Sequence, residues 1–491
     1  MDTLNKFYID GAWVPPHSTQ VMDLINPATE AVLGQVALGD SVDADRAVQA
    51  AARAFETWGL SDPLERKAYL EKLCTVYERR MGEMAEAIRL EMGAPKDFAL
   101  SPQADSGLGT FQNMVEVMDA IEWAGPVTQS QPDAFVLREP IGVCALITPW
   151  NWPILQVAMK VGAAIAAGCT MVLKPSELSP LSALLLAEMI DEIGLPAGVF
   201  NLVNGDGPGV GSRLSHHELI DMVSFTGSTR AGRMIGAAGA QSIKRVALEL
   251  GGKSPNIVFA DTDIADAVGR GANHVFDNTG QSCDSPTKML VERAAYDQAV
   301  QVAQAAAQAR GSGDPALAGN HLGPIVSKAQ FDKIQTIVAK ALDQGARLVA
   351  GGLGKPEGIN QGYFVKTTVL ADVTPEMEIW REEIFGPVLT LTPFDTEDQA
   401  IEMGNDTEYG LAGNVQTDDL EKAKRVARRL RAGYITMNGN WPGAGAPFGG
   451  YRQSGNGREG GLLGIEDFLE VKSVGGWTGE ASTSGLWMPN T

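Results

Sequence analysis

Cys283 stands in the stretch HVFDNTGQSCDSPTKMLV, between a glycine-containing turn and a proline, just ahead of a run that reads as a β-strand. A free thiol has a pKa of about 8.5, so attack on an electrophile at neutral pH needs a positive environment, a helix N-terminus or a base. Most free cysteines are small buried hydrophobes instead. That reading suits Cys74, in an amphipathic helical pattern, and Cys144 and Cys169, in or beside strands. A cysteine–histidine pair would need a histidine, and His274, the one nearby in sequence, reads as an ordinary packed or surface residue of a helix. The candidate for proton handling is Glu249 in KRVALELGGKS. Over the strand 244–250, Val246, Leu248 and Leu250 share one face and Glu249 projects from the other. Burial that raises a carboxyl toward about 7 makes a useful general base; a salt-bridged glutamate at a hinge is the alternative. In ITPWNWP, two prolines and two tryptophans stiffen a loop between strand and helix and hold Asn151. A rigid side-chain amide suits an oxyanion hole, where losing one donor costs about 100- to 1000-fold in rate. An asparagine ahead of a helix is also a common N-cap.

Two glycine-rich turns follow strand-like runs, NGDGPGVG (204–211) and FTGSTRAG (225–232). Neither has the third glycine of the dinucleotide GxGxxG pattern, and neither holds the Gly-Lys pair of a P-loop. Both could present backbone N–H groups at a helix start, where a phosphate is stabilised. By glycine count alone they are weak signals. LKPSE sets Lys174 and Glu177 at the end of a strand, either to hold a ribose or simply to start a helix.

These residues need a scaffold, and the chain from 141 onward supplies a regular one. IGVCALIT, TMVLKP, VFNLVNG, DMVSFTG and KRVALELGG read as apolar strands, with helical patterns over 154–167, 180–193 and 228–239 between them. Apolar strands alternating with helices predict a parallel sheet covered on both faces, and right-handed crossovers make it doubly wound and Rossmann-like. A second strand–helix series opens at GGKSPNIVFAD, with the boundary placed near Gly251-Gly252. The stretch before 125 mixes short strands with long helical patterns over 41–108. The strand-like 134–138 fits neither series and is expected to pair with FLEVKSV or with another subunit.

The bulk properties narrow the function classes. A chain of 491 residues is too long for one core. A net charge of −21 disfavours nucleic-acid and anionic-membrane partners. MDTLNKFYIDG has neither a basic start nor an apolar core, so no secretory signal is expected. The run ILQVAMKVGAAIAAGCTMVL is broken by Gln156 and Lys160 and reads as buried helix and strand. Four scattered cysteines without a CxxC pair, and five histidines without metal-ligand spacing, argue against a zinc site or disulfide framework. A metal-free protein of a reducing, cytoplasmic compartment is expected.

Taken together, PWNWP, LKPSE, FTGST, LELGGKS, GQSC, EEIFGPV and PFGGYRQSGNGRE resemble the aldehyde dehydrogenase superfamily in order and spacing, across nearly the whole chain. The resemblance implies Cys283 as nucleophile, Glu249 as general base, and Asn151 as oxyanion donor beside the Cys283 backbone N–H. It implies a cofactor site of Thr148, Trp150, Lys174, Glu177, Gly207, Phe225, Gly227, Ser228, Glu383 and Phe385. There Lys174 and Glu177 would hold the adenosine ribose, Gly227 and Ser228 the pyrophosphate, Glu383 the nicotinamide ribose, and Phe385 the nicotinamide side. A carboxylate at Glu177 accepts from a ribose 2′-hydroxyl and repels a 2′-phosphate, which favours NAD over NADP. The expected reaction is oxidation of an aldehyde through a thioester to the acid. Coenzyme-A-acylating relatives generally lack the base glutamate; a coenzyme-A-acylating semialdehyde dehydrogenase and a non-catalytic relative are the alternatives.

The expected organisation is a dinucleotide-binding domain (1–122 and 141–251), an α/β catalytic domain (252–453) and β segments for a homodimer or homotetramer (123–140 and 454–491). A substrate pocket is expected from Trp152, Gln156, Met159, Ser282, Asp284, Trp441 and Phe448, largely apolar and suited to a hydrophobic or aromatic aldehyde. The sequence departs from relatives in DSPTK after the cysteine. Pro286 should stiffen the turn, and Lys288 replaces a usual arginine and lacks its planar fork. Asp284 would oppose thiolate formation if it faced inward, so it should turn away or shape the pocket entrance. The tail after Val474 is expected to cap a neighbouring subunit or the pocket mouth.

Overall fold

Alternate residues of the strand Val143–Ile147 face opposite ways, and both faces are apolar, so the strand must lie inside a layered structure. In the computed structural model, which describes residues 3–477, Cys144 and Leu146 pack with the helices Pro63–Met92, Asp105–Val117, Pro153–Ala167 and Leu181–Glu192. Val143, Ala145 and Ile147 pack on the other side against Ser41–Trp58. The seven-stranded sheet runs Arg245–Glu249, Met222–Thr226, Val143–Ile147, Thr170–Lys174, Phe200–Leu202, Phe7–Ile9, Ala12–Val14. Its first five strands are parallel; the N-terminal pair joins antiparallel at one edge. Thr148, Lys174, Asn204, Gly227 and Glu249 therefore gather at the carboxyl ends of the parallel strands, where such sheets receive ligands.

A second seven-stranded sheet runs Arg347–Ala350, Thr368–Ala371, Val388–Phe394, Lys288–Glu292, Pro255–Val258, Ala412–Gln416, Tyr434–Met437, parallel except for its first strand. The two sheets meet at Gly251-Gly252. A Cβ on Gly252 would lie 2.5 Å from the Cys283 carbonyl oxygen, so the chain passes the cysteine turn there only as glycine. The segment 134–138 lies in the strand Gln131–Pro140, which pairs antiparallel with Leu469–Gly475 of the same chain, Val471 opposite Arg138. Beyond that strand, Trp477 stacks on Phe135 with ring centroids 5.2 Å apart. The rest of the tail, 478–491, lies outside the described residues. Among those described, no helix is long and apolar enough to cross a membrane.

One buried acid braces the loop after Lys174. Glu91 is 1% exposed and accepts the N–H groups of Leu181 and Ser182, at the start of the helix Leu181–Glu192. Desolvation outweighs these bonds and pushes its carboxyl up to about 8. The folded chain therefore keeps this proton while the unfolded chain releases it above its ordinary carboxylate range. Stability should fall with rising pH across that window, by about 1.4 kcal/mol per pH unit for one proton. Glu91→Gln keeps the acceptor and removes the titration. Thermal midpoints of E91Q between pH 5 and 8 should decline less than those of the parent chain.

Candidate active site

The cysteine turn is built from three successive left-handed residues, Asn278, Thr279 and Gly280, after the helix Ile264–Phe276. Gly280 has φ +72°, and a Cβ there would lie 2.1 Å from the carbonyl carbon of Gly386, so backbone meets backbone. Gln281 anchors the turn: its Oε1 accepts the Val326 N–H at 3.0 Å and its Nε2 donates to Asn278 O at 3.1 Å. Cys283 follows, half-buried. Burial pushes its thiol well above the usual range, and the carboxylates of Asp284, Glu383 and Glu249 push it the same way. His274 lies exposed on its helix.

Tyr434 donates its hydroxyl to Asp284 Oδ2 at 2.5 Å, and the carboxylate remains the foremost charge acting on the thiol. Lys288 donates to Asp406 O at 3.0 Å and stacks 4.1 Å over the Trp380 ring, while burial holds its pKa down at about 7. That aromatic seat takes the place of a fork.

Asn151 is buried, and it does not cap the following helix; Trp152 occupies the cap position without a side-chain bond. The Asn151 Nδ2 donates to Gln281 O at 3.0 Å, which ties the PWN loop to the cysteine turn. Glu249 is 3% exposed, and neither carboxylate oxygen has a hydrogen-bond partner among the described residues. Glycines make its space: a Cβ on Gly449 would lie 2.7 Å from Glu249 Oε1. Burial raises its pKa well above the carboxylate range, nearby Glu459 adds to the rise, and Lys160 and Arg458 oppose it. Lys160, fully buried on the helix Pro153–Ala167, donates to Ser224 Oγ at 3.1 Å and Thr226 Oγ1 at 2.8 Å and pairs with Glu459. Sequence reasoning treated Lys160 only as a break in an apolar run and passed over Glu459. A lysine on a helix otherwise lined by Val, Ile and Ala was the available signal.

Along the ends of the parallel strands, Lys174 Nζ donates to Gly205 O at 2.6 Å and Pro175 O at 2.9 Å, with Glu177 3.5 Å away. Gly207 opens the tight turn Gly207–Gly211, which Asp206 caps by accepting Gly209 N–H. Phe225 is the penultimate residue of its strand, Gly227 N–H donates to Glu249 O at 3.0 Å, and Ser228 caps the helix Thr229–Ala240. Glu383 accepts the Gly252 N–H at 3.0 Å, and the Trp150 and Phe385 rings meet edge to face at 5.4 Å. Thr148 Oγ1 and both amide atoms of Asn204 are buried without partners among the described residues.

On the opposite side, Trp152 Nε1 donates to Ser282 Oγ at 2.9 Å and its ring lies 5.8 Å from Phe98. Phe448 packs at 5.6 Å from Tyr434. Gln156 is buried and Met159 half-buried further along the same helix. Trp441 is 65% exposed on the loop after Tyr434–Met437, apart from this aromatic cluster, because the strand ends and the chain turns at Asn438 and Gly439. Phe98 and Tyr434 were not singled out from sequence; they come from a three-residue helical turn and a strand that carry no motif. Among the described residues, no group of three or more His, Cys, Asp or Glu could hold a metal ion.

Comparisons with known proteins identify the family. The model described as "Aldehyde dehydrogenase family" matches residues 13–474. A 3-succinoylsemialdehyde-pyridine dehydrogenase from a Pseudomonas species is 48% identical over 98% of this chain and 100% of its own length. The crystal structure of an aldehyde dehydrogenase from Bartonella henselae superposes with a TM-score of 0.95 at 49% identity, covering 96% of this chain and 99% of the other. A cysteine-to-alanine mutant of aldehyde dehydrogenase C from Pseudomonas syringae, complexed with NAD+ and octanal, gives 0.95 at 46% identity, covering 97% and 98%. With the family model spanning both sheets and relatives near half identity over full length, the chain belongs to the aldehyde dehydrogenase family.

Proposed function

We propose that the chain oxidises a hydrophobic or aromatic aldehyde to its carboxylic acid with NAD, using Cys283 as nucleophile. One observation carries this reading. Asn151 Nδ2 donates to the carbonyl two residues before Cys283, and the Glu249 carboxylate, unpartnered among the described residues, is one of the charges that push the thiol's pKa up.

NAD is assigned to the strand ends between Lys174, Glu177, Gly207, Gly227, Ser228 and Glu383, with Thr148, Trp150, Phe225 and Phe385 alongside. The unpartnered Thr148 hydroxyl and Asn204 amide support a polar ligand there, and two related structures hold NAD+. Glu177, half-buried and 3.5 Å from Lys174, favours a ribose 2′-hydroxyl over a 2′-phosphate. When bound, NAD supplies the acceptor for the hydride that leaves the aldehyde carbon.

The chain's own groups do the rest. The Cys283 thiol gives its proton to solvent, and Sγ bonds to the carbonyl carbon. The oxygen that becomes negative is met by an Asn151 Nδ2–H and the Cys283 N–H. Once hydride has left, an acyl thioester remains on Cys283. Water deprotonated by Glu249 adds to the acyl carbon, the C–S bond breaks, and the acid departs as the thiol regains a proton. Glu459 raises and Lys160 lowers the pKa of Glu249, and together they set how readily it gives up its proton.

Phe98, Trp152, Tyr434 and Phe448 support an apolar substrate. So do the relatives, one named for 3-succinoylsemialdehyde-pyridine and one holding octanal. Asp284 adds a selective element, since its charge beside the thiol repels an aldehyde that carries a carboxylate. The three-stranded sheet of Ala124–Thr128, Gln131–Pro140 and Leu469–Gly475 is assigned to subunit contact in a homodimer or homotetramer; its outer Val471 is 67% exposed.

Three outcomes test the reading. Glu249→Ala should retain a first-turnover burst of NADH and lose steady turnover; equal loss of both phases would remove Glu249 from deacylation. In the parent chain the base form of Glu249 is lost as pH falls, so steady turnover should decline on acidification, at a pH above the ordinary carboxylate range. Lys160→Met removes a cation that lowers the Glu249 pKa and should move that profile to higher pH, read from kcat against pH. Octanal and benzaldehyde should outcompete succinic semialdehyde in kcat/KM, and Asp284→Asn should narrow the gap about tenfold, the size of one partly screened charge interaction.

A further inference from the structure

Beneath the site lies a buried cluster of four amide side chains drawn from both sheets' sides of the cleft: Gln103, Asn151, Asn278 and Gln281, none more than 5% exposed. Gln103 Nε2 donates to Asn151 O and to Asn278 Oδ1, both at 3.0 Å. Asn278 Nδ2 donates to Asn151 O at 2.9 Å and to Gln281 O at 3.0 Å. Asn151 Nδ2 gives one hydrogen to Gln281 O at 3.0 Å. Both Nε2 hydrogens of Gln103 and both Nδ2 hydrogens of Asn278 are thus committed, and both lone pairs of the Asn151 and Gln281 carbonyls are taken. The second Nδ2 hydrogen of Asn151 is the donor the cluster leaves over.

Gln103 is the unexpected member. It reaches in from the irregular turn Ala99–Ala104, which Tyr77 holds by donating to Ala104 O at 2.8 Å. Its own Oε1 is buried without a partner among the described residues. An orphaned buried acceptor is costly and calls for an explanation. The two bonds from Nε2 provide one, because they join the backbone of the oxyanion loop to the left-handed turn that carries Cys283.

We infer that Gln103 is a positioning residue for the oxyanion hole: through Asn278 and the Asn151 carbonyl it fixes the free Asn151 N–H relative to Cys283 Sγ. This rests on the proposed role of Asn151 as oxyanion donor. Gln103→Met replaces the amide with an apolar chain of similar length and removes both bonds.

Two reagents read the consequence in the apo protein. p-Nitrophenyl acetate acylates Cys283 through an oxyanion: the thiol loses its proton to solvent or base, Sγ bonds to the acetyl carbon, and nitrophenolate leaves. Iodoacetamide alkylates the same sulfur by displacing iodide and forms no oxyanion. Gln103→Met should slow the acylation burst about 10- to 100-fold, short of a full donor deletion, and leave alkylation within about twofold. Gln103→Glu keeps the shape and donates only while protonated, so its acylation deficit should deepen as pH rises; it serves where Q103M does not fold. Equal slowing of acylation and alkylation in either variant would mean a disturbed cysteine turn and overturn the inference. Unchanged acylation in the Gln103 variants, with Asn151→Ala slow, would overturn it alone. Normal acylation in Asn151→Ala would overturn the oxyanion reading and the inference together.

Discussion

A Cβ at residue 280 would sit 2.1 Å from the Gly386 carbonyl carbon, so the turn ahead of Cys283 lies against the 382–388 loop only because no side chain stands there. Gly252 imposes the same condition from the other direction, since its Cβ would lie 2.5 Å from the Cys283 carbonyl oxygen. Cysteine turn, inter-sheet crossing and the loop bearing Glu383 and Phe385 are thus stacked backbone on backbone. Side chains can shift rotamer, but three main chains in contact have little to give. The reacting groups inherit that rigidity, which is what chemistry at fixed separations requires.

The charges around the cleft are arranged to stay quiet at rest. Burial and neighbouring carboxylates favour the protonated thiol, and burial with Glu459 favours the protonated form of Glu249. Lys160, the cation nearest this acid pair, is itself held by two hydroxyls and Glu459. A site of low net charge in a desolvated cleft makes each proton movement consequential, because one charge appearing there is poorly screened. The aromatic side carries the anion Asp284, half-buried, and the hydroxyl of half-buried Tyr434 steadies it.

In the sequence Glu249 ends a strand and Asn151 follows one, which puts both at a sheet's carboxyl edge, whereas Cys283 was singled out by a glycine-containing turn ahead of a strand. The alternation in VALEL correctly turned Glu249 away from Val246 and Leu250, which pack against Gly239 and Gly232 of the helix behind. The doubly wound sheet was legible for the same reason. What escaped was whatever depends on distant segments meeting. Lys160 and Glu459 are 299 positions apart, and Gln103 reaches Asn278 across 175. No local period or spacing records such a meeting. Trp441 shows the converse error: an aromatic near a recognised motif was read as pocket lining, yet the turn after Met437 carries it to the surface. Asp284 fell between these cases, its neighbourhood evident and its tyrosine partner not.

The strand Arg245–Glu249 is the last of its sheet, and a late segment of the chain seals its outer edge. Leu248 N–H donates to Asn456 Oδ1, Leu250 N–H to Ser454 O, and Gly455 bridges Glu249 where no Cβ would fit. Arg245 grips the carbonyls of Asp467 and Leu469 as well. Ser454 lies 203 positions beyond Gly251, so during synthesis this edge emerges long before its cover does. An uncovered edge strand is a template for wrong pairing, and chains fold from their N-terminal side as they are made. The nascent polypeptide therefore carries an open, adhesive border for most of the second sheet's translation, and a ribosome that stalls before codon 454 leaves a product that is both inert and prone to clump.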